Sequence, residues 1–498
     1  MLEPDPVLLH QYLIGAANRC GQAVAIAEDE KVTSFELLLE NAASIAVALG
    51  ERGLGKGDRV ALILSKTTDA IAALFGTLLA GGVYVPVQPH WPAQRVASTL
   101  EDCGARFVFT EEDSALSILD VQAGRSIGWA EALQHDAGRF REPAVSPQDT
   151  ALILFTSGSS GRPKGVAISH RAAAAFVNWS GRKFGIGPED RIACPSPLSF
   201  DLSTFDVFNM ARGGATCVIV PERNVWFPRF LTEFLQERRI TAWYSVPSIL
   251  AGMLNEGGLA RRSYPDLRVI LFAGEVFAPA QLARFQAAVP NAALYNLYGP
   301  TETNVVTWYQ VPPGFDGSRP VPIGRACPYA RVELDGAGDQ GELLAGGESL
   351  MNGYWNRPEE TAAAFAQIEG KGRYYRTGDR VTMNPEGGLV FIGRMDRQVK
   401  RRGFRIELGE IEAALSRHPA VFEAAAVSTE DPESGASITA FVRVQAGDPI
   451  SQAGIKAHCA RILPPYMLPD RIVFLAAVPK GSRGKTDYAA LRDLVPRK

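Results

Sequence analysis

The chain has 498 residues, with 51 lysines and arginines against 54 aspartates and glutamates and a formal net charge of -3. This balance argues against a general electrostatic attraction to nucleic acid or to an anionic membrane. Apolar residues make up 46% and charged residues 21%, as in ordinary globular proteins, and the length exceeds what a single hydrophobic core fills, so two or more lobes are expected.

The beginning of the chain does not read as a signal peptide, because Glu3 and Asp5 stand where a basic segment would be. The most apolar run, residues 70–87, is interrupted by glycines and a proline and is too short to cross a bilayer. We predict a helix, a turn and a buried strand there. The six cysteines are scattered without metal-ligand spacing, which favours reduced, buried thiols. These features predict a cytoplasmic enzyme-sized protein.

Short aliphatic runs alternate with longer helical patterns through most of the chain. Strands are predicted at residues 59–64, 151–155, 215–220 and 269–272, and amphipathic helices at residues 34–51 and 227–238. This alternation is typical of α/β layers in which helices cover sheets. The predicted fold class is therefore α/β, with a large N-terminal lobe of layered sheets and helices.

The pattern changes after about residue 384. Residues 389–398 predict a strand followed by a turn, and a helix is expected to begin near residue 409. We therefore expect a small α+β lobe at residues 396–498 after a large lobe at residues 1–395. Residues 479–487 are rich in glycine, serine and lysine and favour a loop.

A loop rich in glycine and hydroxyl residues, TSGSSGRPKG, follows the predicted strand at residues 151–155. Glycines let the backbone approach an anion, and successive N–H groups form a concave site for phosphate oxygens. It is not a Walker A loop, because the spacing differs and no serine or threonine follows the lysine. A flexible linker is the alternative. The predicted triphosphate contacts are Thr156, Ser157, Gly158, Ser159, Ser160, Gly161 and Lys164.

The order of residues in this loop resembles the phosphate loop of the adenylate-forming superfamily, which includes acyl-CoA synthetases, luciferases and nonribosomal-peptide adenylation domains. Further segments resemble that family in the same order over nearly the whole chain. They are NLYGPTE from Asn296, YRTGD from Tyr375, GRMDRQVK from Gly393, GFRIELGEIE from Gly403 and GSRGKTD from Gly481. Each segment alone has an ordinary explanation as a turn, a charged surface or a tail, whereas the ordered set does not. Arg483 stands where family members more often have asparagine.

The resemblance implies a nucleotide and metal site in the segment that contains Gly299. Asn296 would bond the adenine and Tyr298 would stack on it. Thr301 would contact the α-phosphate and Glu302 would hold Mg²⁺. A carboxylate is a hard oxygen ligand suited to Mg²⁺ that bridges phosphates.

The remaining family segments imply a ribose contact, a hinge and a catalytic lysine. Asp379 would accept from the two ribose hydroxyls, Arg394 would touch the ribose, and Asp396 would be the hinge of a mobile C-terminal lobe. Lys485 would reduce the repulsion between an attacking carboxylate and an anionic phosphate. The predicted catalytic residues are therefore Lys485, Thr301 and Glu302.

The segment SFDLSTF contains Asp201, which precedes a helical pattern at residues 202–211, so an N-cap is one interpretation. By resemblance, amino-acid-activating members have an aspartate here that pairs with the substrate α-amino group, and fatty-acyl members lack it. The resemblance also implies a side-chain pocket with Asp201 and Lys485 at its polar ends. The implied lining is Leu202, Phe205, Tyr244, Leu271, Ala273, Leu297, Val305 and Val306.

Within this lining only the Tyr244 hydroxyl is polar, which disfavours a charged or amide substrate side chain. The lining resembles that of stand-alone L-proline-activating enzymes, although Phe205 and Val306 depart from their pattern. L-proline is the leading substrate. Valine, alanine and 2-aminobutyrate stay open, because an apolar pocket separates neighbours that differ by a methylene by only about 1–3 kcal/mol.

The predicted acceptor is the phosphopantetheine of a separate carrier protein, through a thioester. Ser349 superficially resembles a pantetheine attachment site, but no helical-bundle pattern surrounds it and we reject it. The alternatives are an acyl-CoA or aryl-CoA ligase, which Asp201 disfavours, and a catalytically silent nucleotide-binding protein on the same fold. Aminoacyl transfer to tRNA is disfavoured by the charge balance.

Overall fold

The computed structural model describes residues 5–110, 125–158, 162–336, 338–431, 435–444, 450–480 and 485–496. The chain divides into two compact units. The first comprises Met1–Pro89, Leu100–Leu154 and Gly165–Met395, and the second comprises His90–Thr99, Phe155–Lys164 and Asp396–Lys498. The second unit therefore contains two short segments from early in the chain, which the sequence patterns do not predict.

Helices and strands alternate along the described residues. The helices are α1 (Leu9–Cys20), α2 (Phe35–Glu51), α3 (Thr68–Leu79), α4 (Ala93–Cys103), α5 (Trp129–Ala132), α6 (His170–Lys183), α7 (Ser203–Gly213), α8 (Pro228–Glu237), α9 (Pro247–Asn255), α10 (Pro279–Ala288), α11 (Pro358–Ala363), α12 (Leu408–Ser416), α13 (Gln452–Ala460) and α14 (Tyr488–Asp493). The strands are β1 (Val24–Glu28), β2 (Lys31–Ser34), β3 (Arg59–Ile63), β4 (Val83–Val87), β5 (Phe107–Thr110), β6 (Ser126–Ile127), β7 (Thr150–Thr156), β8 (Lys164–Ser169), β9 (Arg191–Cys194), β10 (Thr216–Ile219), β11 (Ala242–Ser245), β12 (Val269–Phe272), β13 (Ala293–Tyr298), β14 (Thr307–Gln310), β15 (Arg325–Ala326), β16 (Ala330–Asp335), β17 (Gln340–Gly347), β18 (Gly353–Tyr354), β19 (Phe365–Ile368), β20 (Gly372–Met383), β21 (Leu389–Arg394), β22 (Gln398–Arg401), β23 (Phe404–Glu407), β24 (Val421–Asp431), β25 (Gly435–Val444) and β26 (Arg471–Phe474).

Two large sheets organise most of the chain. A nine-stranded sheet has the order β15-β14-β13-β12-β11-β9-β10-β1-β2, and a seven-stranded sheet has the order β18-β8-β7-β4-β3-β5-β6. The neighbouring strands from β13 across to β1 run parallel, and antiparallel strands close both edges. Their residues are almost continuously buried, as expected for parallel strands covered on both faces. The α/β prediction is therefore confirmed.

Three smaller sheets follow in the described part of the chain. Strands β16, β17, β20, β19 and β21 form an antiparallel sheet in the first unit. In the second unit, β24, β25 and β26 form a three-stranded sheet beside the β22–β23 hairpin. Apolar residues of α12 and α13, such as Ile411 and Ile455, share a buried cluster with Ile438 and Ala440 of β25. This unit has the predicted α+β character.

The structure confirms the local predictions made from hydrophobic periodicity. The helix predicted at residues 34–51 is α2, and the Ser34 side chain caps it by accepting a hydrogen bond from the Leu37 backbone. The apolar run at residues 70–87 forms most of α3 and then β4. Among the described residues, no helix is both long enough and apolar enough to span a bilayer.

The buried side chain of His170 begins α6 and ties it to α1. Its Nδ1 atom accepts a hydrogen bond from the Leu9 backbone N–H at 3.2 Å, and its ring lies edge-on to the ring of His10, with 5.7 Å between the ring centroids. Burial lowers the pKa of His170 to about 3; the neighbouring His10 lowers it further and Asp149 opposes the shift. The imidazole is therefore neutral in the folded protein at ordinary pH.

Acidification from pH 7 to pH 5 is expected to destabilise the first unit through His170. The unfolded side chain gains a proton near pH 6.5, whereas the folded side chain resists protonation until about pH 3, so this stability is complete above the unfolded pKa and declines below it. The expected loss at pH 5 is about 2 kcal/mol. Urea unfolding should show a smaller difference between pH 7 and pH 5 in His170→Gln; an unchanged difference would contradict the assignment.

Candidate nucleotide and substrate site

The first unit brings Tyr298, Asp379 and Arg394 together. Tyr298 ends β13, and its hydroxyl donates a hydrogen bond to Asp379 Oδ2. Asp379 and Arg394 stand opposite each other on β20 and β21, and Arg394 Nη1 donates to Asp379 Oδ1 at 2.6 Å. Three residues that are distant in sequence, and that the family resemblance assigns to the nucleoside, therefore form one connected group.

Asp379 is the centre of this group and is only 1% exposed. Its backbone N–H donates to Thr377 Oγ1 at 3.1 Å, which holds the backbone of β20 at this position. Burial and the neighbouring Asp379 charge raise the pKa of Tyr298 well above its usual value, so this phenol stays a donor. A carboxylate oxygen can accept more than one hydrogen bond, so Asp379 has acceptor capacity suited to sugar hydroxyls. The bond from Tyr298 is a contact that the sequence does not predict.

The predicted adenine ligand, Asn296, lies within β13 beside Phe272 of β12 and is buried. Its Nδ2 donates to the Pro322 carbonyl at 2.8 Å, which fixes the orientation of the side-chain amide. The segment then turns sharply at Gly299, where a Cβ atom would lie 1.7 Å from the Asn304 carbonyl oxygen. Only glycine fits at this point of the turn.

Glu302, the predicted metal ligand, is 1% exposed. The Tyr354 hydroxyl donates to its Oε1 at 2.7 Å and lies 3.3 Å from the Tyr375 hydroxyl. The backbone of Glu302 is also held, because its carbonyl accepts from the Met351 N–H at 2.8 Å. Sequence reasoning missed Tyr354, which lies 52 residues away from Glu302.

The chemistry of this carboxylate fits a magnesium ion. Mg²⁺ in phosphate-transfer sites is held by one or two carboxylates together with substrate phosphates and water. Within the described part of the chain, no group of three or more His, Cys, Asp or Glu residues is placed to hold a metal ion. A single buried Glu302 near Thr301 therefore suits a metal that is shared with a phosphate, and does not suit a cage made only of protein ligands.

The residues assigned to the side-chain pocket are all buried. Tyr244 of β11 is in register with Leu271 of β12, and Ala273 follows the end of β12. The carboxyl ends of parallel strands meet at one edge of a sheet, where open α/β sheets bind their ligands. Phe205 of α7 completes this wall, with its ring edge-on to Tyr244 at 5.7 Å between centroids. Leu202, Leu297, Val305 and Val306 are the other buried members.

Asp201 lies in the turn that leads into α7. The helix begins at Ser203 and its N-cap is Leu202, which makes no side-chain capping bond, so the interpretation of Asp201 as the N-cap is wrong. The pKa of Tyr244 is raised well above its usual value, chiefly by burial and then by the negative charge of Asp201. The charge of Asp201 therefore acts on Tyr244, which belongs to the apolar wall.

The second unit contains the phosphate loop. Ser157 Oγ donates to the Arg405 carbonyl at 2.6 Å and accepts from the Glu407 N–H at 3.2 Å. The Gly158 N–H points to a carboxylate oxygen of Glu410 at 3.4 Å. A Cβ atom on Gly158 would lie 1.9 Å from the Arg162 carbonyl oxygen, so the loop closes tightly there. Ser159, Ser160 and Gly161 lie outside the described residues, while Thr156 ends β7 and Lys164 begins β8.

A buried ion pair in the second unit joins Arg95 of α4 to Glu410 of α12. Arg95 Nη1 lies 2.5 Å from Glu410 Oε1, and both side chains are 4% exposed. The Arg95 guanidinium also lies 4.9 Å from the centre of the Trp91 ring. Glu410 thus connects a helix before the phosphate loop, the loop itself and the first helix after residue 396.

Replacing Arg95 by methionine is expected to destabilise the second unit by about 3–5 kcal/mol, because it leaves the Glu410 carboxylate buried without its cation. Trp91 provides a nearby fluorescence signal for urea unfolding. The double variant with Glu410→Gln should recover much of the loss. Arg106→Met, which breaks an exposed pair with Asp58, should cost at most about 1 kcal/mol. Equal losses in Arg95→Met and Arg106→Met would contradict the buried-pair argument.

The predicted hinge and catalytic lysine also belong to the second unit. Asp396 Oδ1 accepts from the Gln398 N–H at 3.1 Å at the start of β22. Lys485 is exposed and immediately follows residues 481–484, which lie outside the description. Asp487, two residues later, caps α14 through hydrogen bonds from Ala489 and Ala490. The roles of Asp396 and Lys485 stay predictions.

Comparison with family models matches residues 15–355 to the AMP-binding enzyme family and residues 410–485 to the AMP-binding enzyme C-terminal domain. The chain belongs to the AMP-binding enzyme family. The predicted superfamily is thereby confirmed. The first range contains the phosphate loop, Asp201 and Tyr298. The second range ends at Lys485.

Several curated relatives match this AMP-binding enzyme over most of its length. An L-proline--[L-prolyl-carrier protein] ligase of Pseudomonas fluorescens is 37% identical, over 97% of this chain and 98% of the relative. A ligase with the same name from Streptomyces coelicolor is also 37% identical, over 93% of this chain and 92% of its own.

Solved structures of similar fold include IdnL1, with 31% identity and a TM-score of 0.80 over 96% of this enzyme and 100% of that chain. The Vibrio cholerae adenylation domain AlmE, solved with glycyl-adenosine-5'-phosphate, has 26% identity and a TM-score of 0.83 over 99% of both chains. The fold of this AMP-binding enzyme is therefore that of adenylation domains.

Proposed function

We propose that this AMP-binding enzyme converts an amino acid, L-proline in the leading case, into an aminoacyl-adenylate with ATP and Mg²⁺, and then transfers the aminoacyl group to the phosphopantetheine thiol of a separate carrier protein. The observation that carries this proposal is the buried apolar wall of Tyr244, Leu271 and Phe205, with Asp201 in the turn that leads into α7. The two relatives named L-proline--[L-prolyl-carrier protein] ligase support the same substrate and acceptor.

The pocket lining supports a small apolar amino acid. The Asp201 carboxylate supplies the counter-charge that an α-ammonium group needs when it leaves water. Phe205, Leu271 and Val306 have no measurable exposure, so they form a dense wall with no group to satisfy a charged side chain. A five-membered ring with a secondary ammonium fits both requirements.

The first half-reaction joins a substrate carboxylate oxygen to the α-phosphorus of ATP and releases pyrophosphate. Asp379, oriented by Tyr298 and Arg394, would hold the ribose hydroxyls, and Asn296 would hold the adenine. Glu302 would bind Mg²⁺, which when bound offsets phosphate charge. Thr156, Ser157, Lys164 and the loop N–H groups would bind the triphosphate, and Thr301 the α-phosphate. Lys485 would reduce the repulsion between the carboxylate and the phosphate.

The second half-reaction attaches the aminoacyl carbonyl to a thiol and releases AMP. The two half-reactions need different groups at the same reacting centre. A large lobe at residues 1–395 and a small lobe at residues 396–498 that turns at Asp396 would exchange those groups. The proposed location is the cytoplasm, which agrees with six cysteines that are all free thiols in the structure.

Amino-acid-dependent exchange of labelled pyrophosphate into ATP tests this function. The twenty amino acids and a series of fatty and aryl acids are compared at equal concentration. Strongest exchange with L-proline is expected, followed by labelling of a phosphopantetheinylated carrier protein. Exchange only with fatty or aryl acids would replace the proposal by an acyl-CoA or aryl-CoA ligase. No exchange with any acid would favour a silent nucleotide-binding protein.

A further inference from the structure

The dipeptide Val305–Val306, which contributes two side chains to the substrate pocket, has every backbone hydrogen-bonding group engaged. The Val305 N–H donates to Asn304 Oδ1 at 2.7 Å, and the Val306 N–H donates to the Tyr298 carbonyl at 2.7 Å. The Val306 carbonyl accepts from the Cys327 N–H at 2.9 Å. The backbone position of these two pocket residues is therefore fixed by neighbours on several sides.

The remaining group, the Val305 carbonyl, accepts from the Tyr329 hydroxyl at 2.5 Å. This is the one bond of the four that is made by a side chain distant in sequence. Asn304, on the other side, has a φ of 52°, an unusual left-handed conformation for a residue other than glycine. Without the Tyr329 bond, the Val305–Val306 peptide group would keep only the bond from the Val306 N–H to Tyr298, next to the strained turn at Asn304.

Tyr329 is itself held rigidly. Its carbonyl accepts from the Glu348 N–H at 3.0 Å, and a Cβ atom on Gly347 would lie 2.3 Å from that carbonyl oxygen. Its ring lies edge-on to Trp179, with 5.9 Å between centroids. The pKa of Tyr329 is raised well above its usual value, chiefly by burial and then by Cys327, so its hydroxyl remains a donor across the working pH range.

We propose that Tyr329 is a positioning residue that sets the depth of the amino-acid pocket by holding the Val305 carbonyl. It does not touch the substrate in this account. It acts through Val305. Without the bond from Tyr329, the Val305 side chain would move away from the pocket and a larger ring would fit. The inference rests on the proposed function, since it assigns a role in choosing the amino acid.

The test is steady-state pyrophosphate exchange with L-proline and with L-pipecolate, whose ring is one methylene larger. Tyr329→Phe removes only the hydroxyl and keeps the ring against Trp179. Loss of one hydrogen bond corresponds to about a fivefold change. We therefore expect the KM for L-proline to rise about fivefold. The preference for L-proline over L-pipecolate, measured as the ratio of their kcat/KM values, should fall by about the same factor. The kcat and the KM for ATP should stay within about twofold, because the nucleotide contacts are untouched.

Tyr264→Phe is the matched control, since it makes the same change in a tyrosine that is not assigned to the pocket. A double variant tests whether Tyr329 acts through Val305. In a Val305→Ala background, Tyr329→Phe should change the L-proline preference by less than about twofold, because coupled residues are not additive. Additive effects of the two substitutions would overturn the proposal. Equal increases in the KM for ATP and for L-proline would also overturn it and would indicate general destabilisation.

The outcome for the proposed function is read separately from the same measurements. If the parent enzyme gives no exchange with either L-proline or L-pipecolate, the proposed substrate is wrong. If the parent enzyme exchanges with L-proline and Tyr329→Phe keeps the same preference, only the role of Tyr329 is wrong.

Discussion

Replacing Asp201 by asparagine is expected to lower kcat/KM for the amino acid by a factor on the order of 10² to 10³. The substrate ammonium would then enter an apolar pocket without a counter-charge, and removing one partner of a buried charge pair costs about 2–5 kcal/mol. Tyr244 cannot replace it, because burial raises the pKa of its phenol and keeps it neutral. The KM for ATP should change little. The measurement is pyrophosphate exchange at varied L-proline and varied ATP.

Asp206, five residues further along in α7, provides a matched control. Its side chain is fully buried, and burial raises its pKa well above the usual value. Asp206→Asn makes the same change in an acidic residue that is not assigned to the pocket, and we expect the amino-acid kcat/KM to fall by less than about fivefold. Equal losses in the two variants would indicate disruption of α7 and would contradict the role of Asp201.

An analogue without the amino group separates charge recognition from packing. Cyclopentanecarboxylate has the ring and the carboxylate of L-proline but lacks the nitrogen. The parent enzyme should reject it strongly, because the Asp201 carboxylate would then face an apolar ring in place of an ammonium group. Asp201→Asn should discriminate much less between the two acids. Strong discrimination that persists in Asp201→Asn would assign ammonium recognition to another residue.

Local periodicity was sufficient to predict the elements that form the site, because each depends on residues close in sequence. Strand β12 and helix α2 agree with the predicted ranges to within a residue. The pocket lining, in contrast, is implied by the family resemblance and not by periodicity; Tyr244 and Leu271 lie near the carboxyl ends of β11 and β12. The scattered cysteines also favour free, buried thiols, and in the structure all six are free and five are buried.

The contacts that complete the site could not be predicted, because they join residues far apart in sequence. Tyr298 and Asp379 are 81 residues apart, and Tyr354 and Glu302 are 52 apart. A tyrosine at the end of a strand carries no local sign of which carboxylate it will contact. The resemblance assigns Tyr298 to the adenine ring. The hydrogen bond from its hydroxyl to Asp379 is visible only in the three-dimensional structure.

The buried ion pair in the second unit could not be predicted for the same reason. Arg95 stands on α4, where a basic residue ordinarily faces water, yet it is buried against Glu410, 315 residues later. Glu410 would be expected to stabilise the first turn of its own helix. In the structure it also approaches the phosphate-loop N–H of Gly158. Buried ion pairs of this kind require the fold before they can be recognised.

Replacing Lys485 by alanine is expected to lower the rate of adenylation by a factor on the order of 10² to 10³, as removal of a group that stabilises transition-state charge does. The attacking carboxylate and the phosphate are both anionic, so the first half-reaction needs a cation between them. The second half-reaction does not, because its nucleophile attacks a carbonyl carbon. Transfer from pre-made prolyl-adenylate to the carrier thiol should therefore keep its rate within about threefold.

Lys480→Ala is the matched control for this variant, since Lys480 lies in the same segment and forms an ion pair with Glu423. It should leave adenylation nearly unchanged. Single-turnover measurements of each half-reaction distinguish the outcomes. Equal loss of both steps in Lys485→Ala would contradict the separation of roles that a turn at Asp396 provides, and full adenylation without Lys485 would remove it from the catalytic residues. A loss confined to adenylation requires that the thiol step proceeds without this cation, which is the behaviour expected if the small lobe exchanges Lys485 for another surface between the two steps.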